Sequence, residues 1–156
     1  DLVGNYQIGK NKTVVINNPV EDAGTVVHTP AVSKLLTVAR LSEEKGIDRL
    51  IRSAAKLTIP FQFYIIGEGN KKETLQQLID ELNMQDKIFL QGKKKQPFAG
   101  MEDAALFLMG SHYEGFPNVL LEAGILGMPV VAFEVPGGIN EIITNEENGI
   151  LVKNND

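Results

Sequence analysis

The sequence predicts an α/β domain built on a doubly wound, Rossmann-like, mostly parallel six-stranded sheet with helices on both faces. From about Lys34 onward, short apolar runs alternate with stretches whose apolar residues recur at helical spacing, the signature of successive βαβ units. All but the last of the apolar runs are rich in aliphatic or aromatic residues, as strands covered on both faces are. The length, 156 residues, suits one domain with a substantial core and is too short for two.

Strands are expected at residues 35–39, 61–66, 87–91, 105–109, 129–133 and, shorter, 149–152. Between the first two, Ile47, Leu50, Ile51, Ala54 and Ala55 fall at i, i+3, i+4, i+7 and i+8, one apolar stripe along a helix. The next helix carries the stripe Leu75, Leu78, Ile79 and Leu82, with Lys71, Lys72, Glu73, Gln76 and Asp80 left for solvent. Residues 118–126 are apolar almost all round, which predicts a buried helix close to the sheet. A shorter helix is expected at 140–144. Ahead of this rhythm, Val14, Val15 and Ile16 suit a strand, while Asn17, Asn18, Pro19 and the region of Gly24 read as turn and linker.

Composition narrows the function. Hydrophobic residues make up 43% and charged residues 22%, and no apolar run approaches the roughly 20 residues of a membrane span. The formal net charge of −5 argues against nucleic acid as partner, since phosphate backbones are bound by clustered Lys and Arg. With no cysteine, disulfides and thiolate metal sites are excluded, and with no signal peptide opening the chain a cytoplasmic location is expected. His28 and His112 stand far apart and no carboxylate and histidine cluster has ligand spacing, so no protein-bound metal or other cofactor is expected.

Ligands of open parallel sheets bind beyond the carboxyl ends of the strands, so the loops there are the place to seek chemistry. After the first strand come Arg40 and, five residues on, Lys45, a planar fork and a flexible point charge ahead of a helix N-terminus; both suit a diphosphate, and both also read as surface charges beside Glu43 and Glu44. Gly67 and Gly69 follow the second strand and allow close backbone approach, but Lys72 stands where a dinucleotide fingerprint needs its third glycine. Gly92 with Lys93, Lys94 and Lys95 makes a basic turn, either solvated or facing a ligand. The run from Ser111 through His112, Tyr113, Glu114, Gly115, Phe116 and Pro117 to Asn118 leads into the apolar helix that carries Glu122. Free N–H groups at that helix start suit anions or sugar hydroxyls, and a carboxylate at Glu122 among apolar neighbours points at a cleft or complements the helix dipole. Gly137, Gly138 and Glu141 form a last glycine turn into a helix.

Taken in order, these pieces are specific: Arg40-Leu-x3-Lys45-Gly46, Gly67-x-Gly69, Ile88-Phe-Leu-Gln-Gly92, Ser111-x2-Glu114-Gly-Phe-Pro-x3-Leu121-Glu122-Ala, Gly127-x-Pro129-Val-Val-Ala and Gly137-Gly-x2-Glu141-x7-Gly149. The set resembles the C-terminal domain of family 4, or group 1, retaining glycosyltransferases of the GT-B architecture, over roughly residues 14–152.

The resemblance implies that Arg40 and Lys45 hold the diphosphate of a nucleotide sugar, that Glu114 lies beside the donor sugar, and that Glu122 binds the ribose hydroxyls. It implies further that backbone N–H groups of Gly115, Phe116, Asn118 and Val119 cover sugar and phosphate, that Gly67 and Gly69 belong to the donor site, and that the base lies along the strand with Ile88 and Leu90. Pro117 can donate nothing. Two positions depart from the common pattern: Gly110 stands where relatives commonly have proline, and Asn118 follows a proline where glycine-flanked aliphatics are usual. Asn17-Asn18-Pro19-Val20 resembles the linker between the two domains of such enzymes. Residues 1–34 then correspond to that linker and the tail of a missing N-terminal acceptor domain, and residues 35–156 to the nucleotide-sugar-binding domain. A fragment inactive by itself is expected, from a hexosyltransferase acting on a glycan, lipid or other acceptor, with peripheral membrane contact of the full enzyme at the inner face. The alternatives are a non-catalytic nucleotide-binding module and a sugar-nucleotide epimerase of the same architecture.

Overall fold

A computed structural model describes residues 18–20 and 31–153. The chain order is β1 (Ala31–Val38), a single 3-10 turn (Glu43–Lys45), α1 (Ile47–Ala54), β2 (Gln62–Ile66), α2 (Lys72–Glu81), β3 (Ile88–Leu90), β4 (Ala104–Met109), α3 (Asn118–Ile125), β5 (Val130–Glu134), α4 (Ile139–Ile142) and β6 (Ile150–Lys153). All six expected strands form, and every pairing between them is parallel. The sheet order is β3-β2-β1-β4-β5-β6, the doubly wound arrangement.

Side-chain alternation along the strands divides the core between the two faces of the sheet. Leu35, Phe63, Ile65 and Ile88 pack with Ile47, Leu50 and Ile51 of α1 and Leu75, Leu78 and Ile79 of α2. Leu36, Phe107, Val130 and Ala132 pack on the other side with Leu120 and Ala123 of α3 and Ile139 of α4. Both apolar stripes read from the sequence are therefore spent against the sheet.

Three expectations need correction. β1 begins at Ala31, four residues early, and its pairing with β4 shifts register between Ala31 and Leu35, so its first residues lie outside the apolar run that marked the strand. α4 covers Ile139–Ile142 instead of 140–144, because Ile143 is already extended at φ −105°, ψ 118°. α3 is not a buried helix. It buries only Leu120 and Ala123, while Leu121 and Ile125 are half-buried along a surface cavity and Glu122 and Gly124 are exposed. A short helix touching the sheet along one line cannot bury its whole circumference. The strand expected at Val14 to Ile16 lies outside the described residues.

The fold positions one crevice. β1 and β4 are neighbours at the centre of the sheet, with the chain winding outward from β1 to β2 and β3 and from β4 to β5 and β6. Their carboxyl ends diverge at this switch point, and the gap between the two following loops is where open α/β sheets bind ligands.

Candidate functional site

From Val38 the chain passes through Ala39 and Arg40 into the 3-10 turn. From Met109 it passes through Gly110 and Ser111 to Glu114. Between these two exits lies a cavity of about 330 Å³, lined among others by Thr37, Arg40, Lys45, Ser111, Glu114, Phe116, Asn118 and Val119. Thr37 and Ser111 are the buried polar side chains among the described residues. The Thr37 hydroxyl donates to the Leu108 carbonyl at 2.7 Å and so ties β1 to β4 at the cavity floor. The Ser111 hydroxyl donates to Glu114 Oε1, and the Lys45 ammonium donates to the same oxygen at 2.7 Å. With side-chain exposures of 21% for Lys45 and 11% for Glu114, this pair is largely withdrawn from water, where a charge-assisted bond is strongest.

The backbone of Glu114 is held as firmly as its side chain. Its N–H donates to the Pro136 carbonyl at 3.1 Å, and the Gly138 N–H donates to the Gly115 carbonyl at 2.7 Å, so the turn after β5 braces the turn after β4. Gly137 makes this possible: at φ 122° a Cβ on it would lie 1.5 Å from the Glu114 carbonyl oxygen, an overlap that no side chain survives.

α3 opens into the cavity with Pro117 as its N-cap at φ −78°, ψ 90°, without a side-chain cap and without an acidic residue in its first turn. Its first N–H groups and the positive end of its dipole are therefore available to an anion. Pro117 stands one position before the helix, where its missing N–H costs nothing. Gly115 leaves its face open, since a Cβ there would meet nothing within 4 Å.

Arg40 reaches out from the rim with its side chain 70% exposed, and its guanidinium is 3.9 Å from the Glu44 carboxylate. The Glu44 carboxyl is held below the usual carboxylate range, first by the neighbouring Ser42 hydroxyl, then by a backbone N–H and by the charges of Arg40 and Lys45. The Ser42 oxygen is buried and meets no partner in good hydrogen-bonding geometry, so it acts on Glu44 as a nearby dipole and not as a formed bond.

A second cavity of about 680 Å³ adjoins the first along Val38, Ala39 and Arg40 and is lined by Gly67, Glu68, Gly69, Lys93 and Lys94 at the ends of β2 and β3. Both of its glycines are spent on packing: a Cβ on Gly67 would lie 1.8 Å from the Ala39 carbonyl oxygen, and one on Gly69 would lie 2.2 Å from that of Leu41.

The structure thus gathers Arg40, Lys45, Glu114, Phe116, Asn118 and Val119 around one cavity, with Gly67 and Gly69 in the adjoining one. It does not bring the remaining candidates, Gly115, Ile88, Leu90 and Glu122, into either, Gly115 lying between the cavity-lining Glu114 and Phe116. Ile88 is buried in the core at 2% exposure and Leu90 packs against that core, while Glu122 is exposed on α3. His112 lines a polar groove between α1 and α2, and its N–H donates to the Glu44 carbonyl at 2.8 Å. Sequence reasoning passed over Thr37, whose signal was a lone hydroxyl within an apolar strand, and gave Ser111 no role of its own. Arg49 carried no signal.

Comparison with known proteins shows the family and the fold. Residues 28–156 match the family described as "Glycosyl transferases group 1". The Campylobacter jejuni N-acetylgalactosamine-N,N'-diacetylbacillosaminyl-diphospho-undecaprenol 4-alpha-N-acetylgalactosaminyltransferase is 34% identical over 98% of this chain and 43% of its own length. The Staphylococcus aureus poly(ribitol-phosphate) alpha-N-acetylglucosaminyltransferase is 34% identical over 75% of this chain and 24% of its own. The crystal structure of an S. aureus TarM mutant in complex with fondaparinux, alpha-GlcNAc-glycerol and UDP superimposes with a TM-score of 0.88 at 30% identity, covering 97% of this chain and 31% of that one. The chain spans less than half the length of these relatives. With the family matched over most of its residues and the same fold in a relative, the chain belongs to the group 1 glycosyltransferases.

Proposed function

We propose that the protein is the donor-binding part of a retaining glycosyltransferase that moves a hexose-type sugar from a UDP-sugar to an acceptor held by another part of the full protein. One observation carries the reading: Arg40, Lys45 and the uncapped N-terminus of α3 converge on the same cavity as Glu114. Three sources of positive potential in one crevice fit a diphosphate, and a carboxylate beside them fits the hydroxyls of the sugar it carries. The α-linked transfers named for the two S. aureus and C. jejuni relatives are what retention yields from an α-linked donor, and UDP is the nucleotide named in the TarM complex.

In this reading the bond from the anomeric carbon to the diphosphate oxygen breaks while the acceptor oxygen bonds to the same face, and the acceptor proton passes to the departing diphosphate. Arg40, Lys45 and the α3 dipole stabilise the charge that develops there, a preorganised electrostatic effect that is usually the largest in such catalysis. Those groups supply the positive charge the leaving group needs, so no metal or other cofactor is invoked. Glu114 and Glu122 address the sugar and the ribose respectively, so neither acts as a nucleophile. The acceptor, and any peripheral contact with the inner face of the membrane, belong to the remainder of the protein.

Isothermal titration calorimetry with UDP, GDP and ADP tests the assignment. UDP binding is expected, weakened about tenfold by Arg40→Ala, the loss of one exposed charge-assisted contact. Failure of all three nucleotides to bind, or binding indifferent to Arg40→Ala, overturns it.

A further inference from the structure

Arg49 projects from α1 one helical turn beyond Lys45, and both reach across the crevice to the same loop. Lys45 meets the Glu114 side chain. Arg49 meets the backbone: its Nε donates to the Gly110 carbonyl at 2.5 Å and a terminal nitrogen donates to the Ser111 carbonyl. These carbonyls lie just past the last β4 residue that pairs with β5, Met109, so the sheet ladder offers them no partner. Its guanidinium carbon also lies 3.8 Å from the centre of the Phe133 ring on β5, which fixes the plane of the fork.

We propose that Arg49 is a positioning residue of the donor site: it holds the Gly110 and Ser111 carbonyls and so sets where the Ser111 hydroxyl and the Glu114 carboxylate stand relative to Lys45. The proposal rests on the reading of Lys45 and Glu114 as donor-binding groups. The geometry favours positioning over plain packing because the two hydrogen bonds and the ring contact bind three elements, α1, β4 and β5, at the residue that begins the Ser111 to Glu114 turn. Lysine keeps the charge but cannot span both carbonyls while lying flat on a ring, so the fork itself is what the site requires.

UDP calorimetry on the wild type, Arg49→Lys, Lys45→Met and the double variant tests this, below the melting temperature of each as followed by circular dichroism. Arg49→Lys is expected to weaken UDP about tenfold, as displaced positioning groups do. In the Lys45→Met background it is expected to cost almost nothing more, because it acts through the group already removed. Phe133→Leu, which takes away the ring and spares both hydrogen bonds, is expected to weaken UDP in the same direction by less. Undiminished affinity in Arg49→Lys with only a lower melting temperature, or losses that simply add in the double variant, overturn the proposal and leave the donor site standing. Undiminished affinity in Lys45→Met overturns the donor-site reading itself.

Discussion

Gly46 and Gly110 meet backbone to backbone across the crevice, with no room for a side chain on either. A Cβ on Gly46 would lie 2.0 Å from the Gly110 carbonyl oxygen, and one on Gly110 would lie 2.4 Å from that of Gly46. Gly46 is also in the left-handed region at φ 53°. This contact brings the turn that carries Lys45 within reach of the loop that carries Glu114. Gly46→Ala is expected to cost roughly 2–4 kcal/mol, the sum of left-handed strain and overpacking. Gly110→Ala is expected to cost about 1–3 kcal/mol from overpacking alone. Gly124→Ala is the control: its Cβ would meet nothing within 4 Å, and in α3 it is expected to stabilise by up to about 1 kcal/mol. Thermal melting of the three variants checks the order.

Glu44 pairs with Arg40, the cation proposed to meet the diphosphate. The 3.9 Å pair is open to solvent, so breaking it changes the fold little, but it neutralises the most exposed cation of the site. Glu44→Gln is expected to tighten UDP binding about two- to threefold at low salt, an advantage that fades as salt screens Arg40. Because the folded carboxyl is held below its ordinary 4.5, what Glu44 contributes to stability is present above that value and is lost as pH falls through the lower folded value. A carbon-detected NMR titration should therefore place the Glu44 midpoint below its ordinary value.

The strands were legible because buried parallel strands are written as continuous apolar runs, and α1 and α2 because a stripe at helical spacing has one outcome against a sheet. That Lys45 and Glu114 share one cavity was legible from their place in the motif order, yet their mutual bond was not, since it depends on Gly46 and Gly110 closing the crevice. Arg49 was illegible because its partners are backbone carbonyls, which every residue possesses and no sequence pattern marks. α3 misled for a related reason: apolar composition tells how much surface a helix would bury, not how much its neighbours cover.

Glu122, proposed as the ribose ligand, stands outside both cavities. It is exposed, and among the described residues only its backbone carbonyl accepts a hydrogen bond, from the Leu126 N–H, so Glu122→Ala should leave the melting temperature within the small range of ordinary surface changes, about 0.5 kcal/mol. If it binds the ribose hydroxyls, UDP affinity falls about tenfold, consistent with a charge-assisted bond, while inorganic pyrophosphate binds the variant as it binds the wild type. Equal losses for both probes would place Glu122 at the diphosphate instead. No loss for either removes it from the site.

The ion pair of Lys45 and Glu114 makes separate predictions for its two members. Lys45→Met leaves a carboxylate of 11% exposure facing Ser111 alone, an uncompensated charge. Both groups keep some solvent contact, so the cost to stability is set below that of a fully buried pair, at about 1–3 kcal/mol. The same variant removes a cation from the proposed diphosphate site, so UDP affinity falls with stability. Glu114→Gln keeps the shape and the Ser111 hydrogen bond but frees the Lys45 ammonium from its counter-charge. The ammonium then loses the partner that places it, so UDP affinity is expected to fall, as it does in Arg49→Lys, and sugar transfer by the full protein is expected to be lost if the carboxylate serves the donor sugar. A Glu114→Gln variant that binds UDP as tightly as the wild type would mean that the Lys45 ammonium stands at the diphosphate without its glutamate partner, and that the two groups act separately.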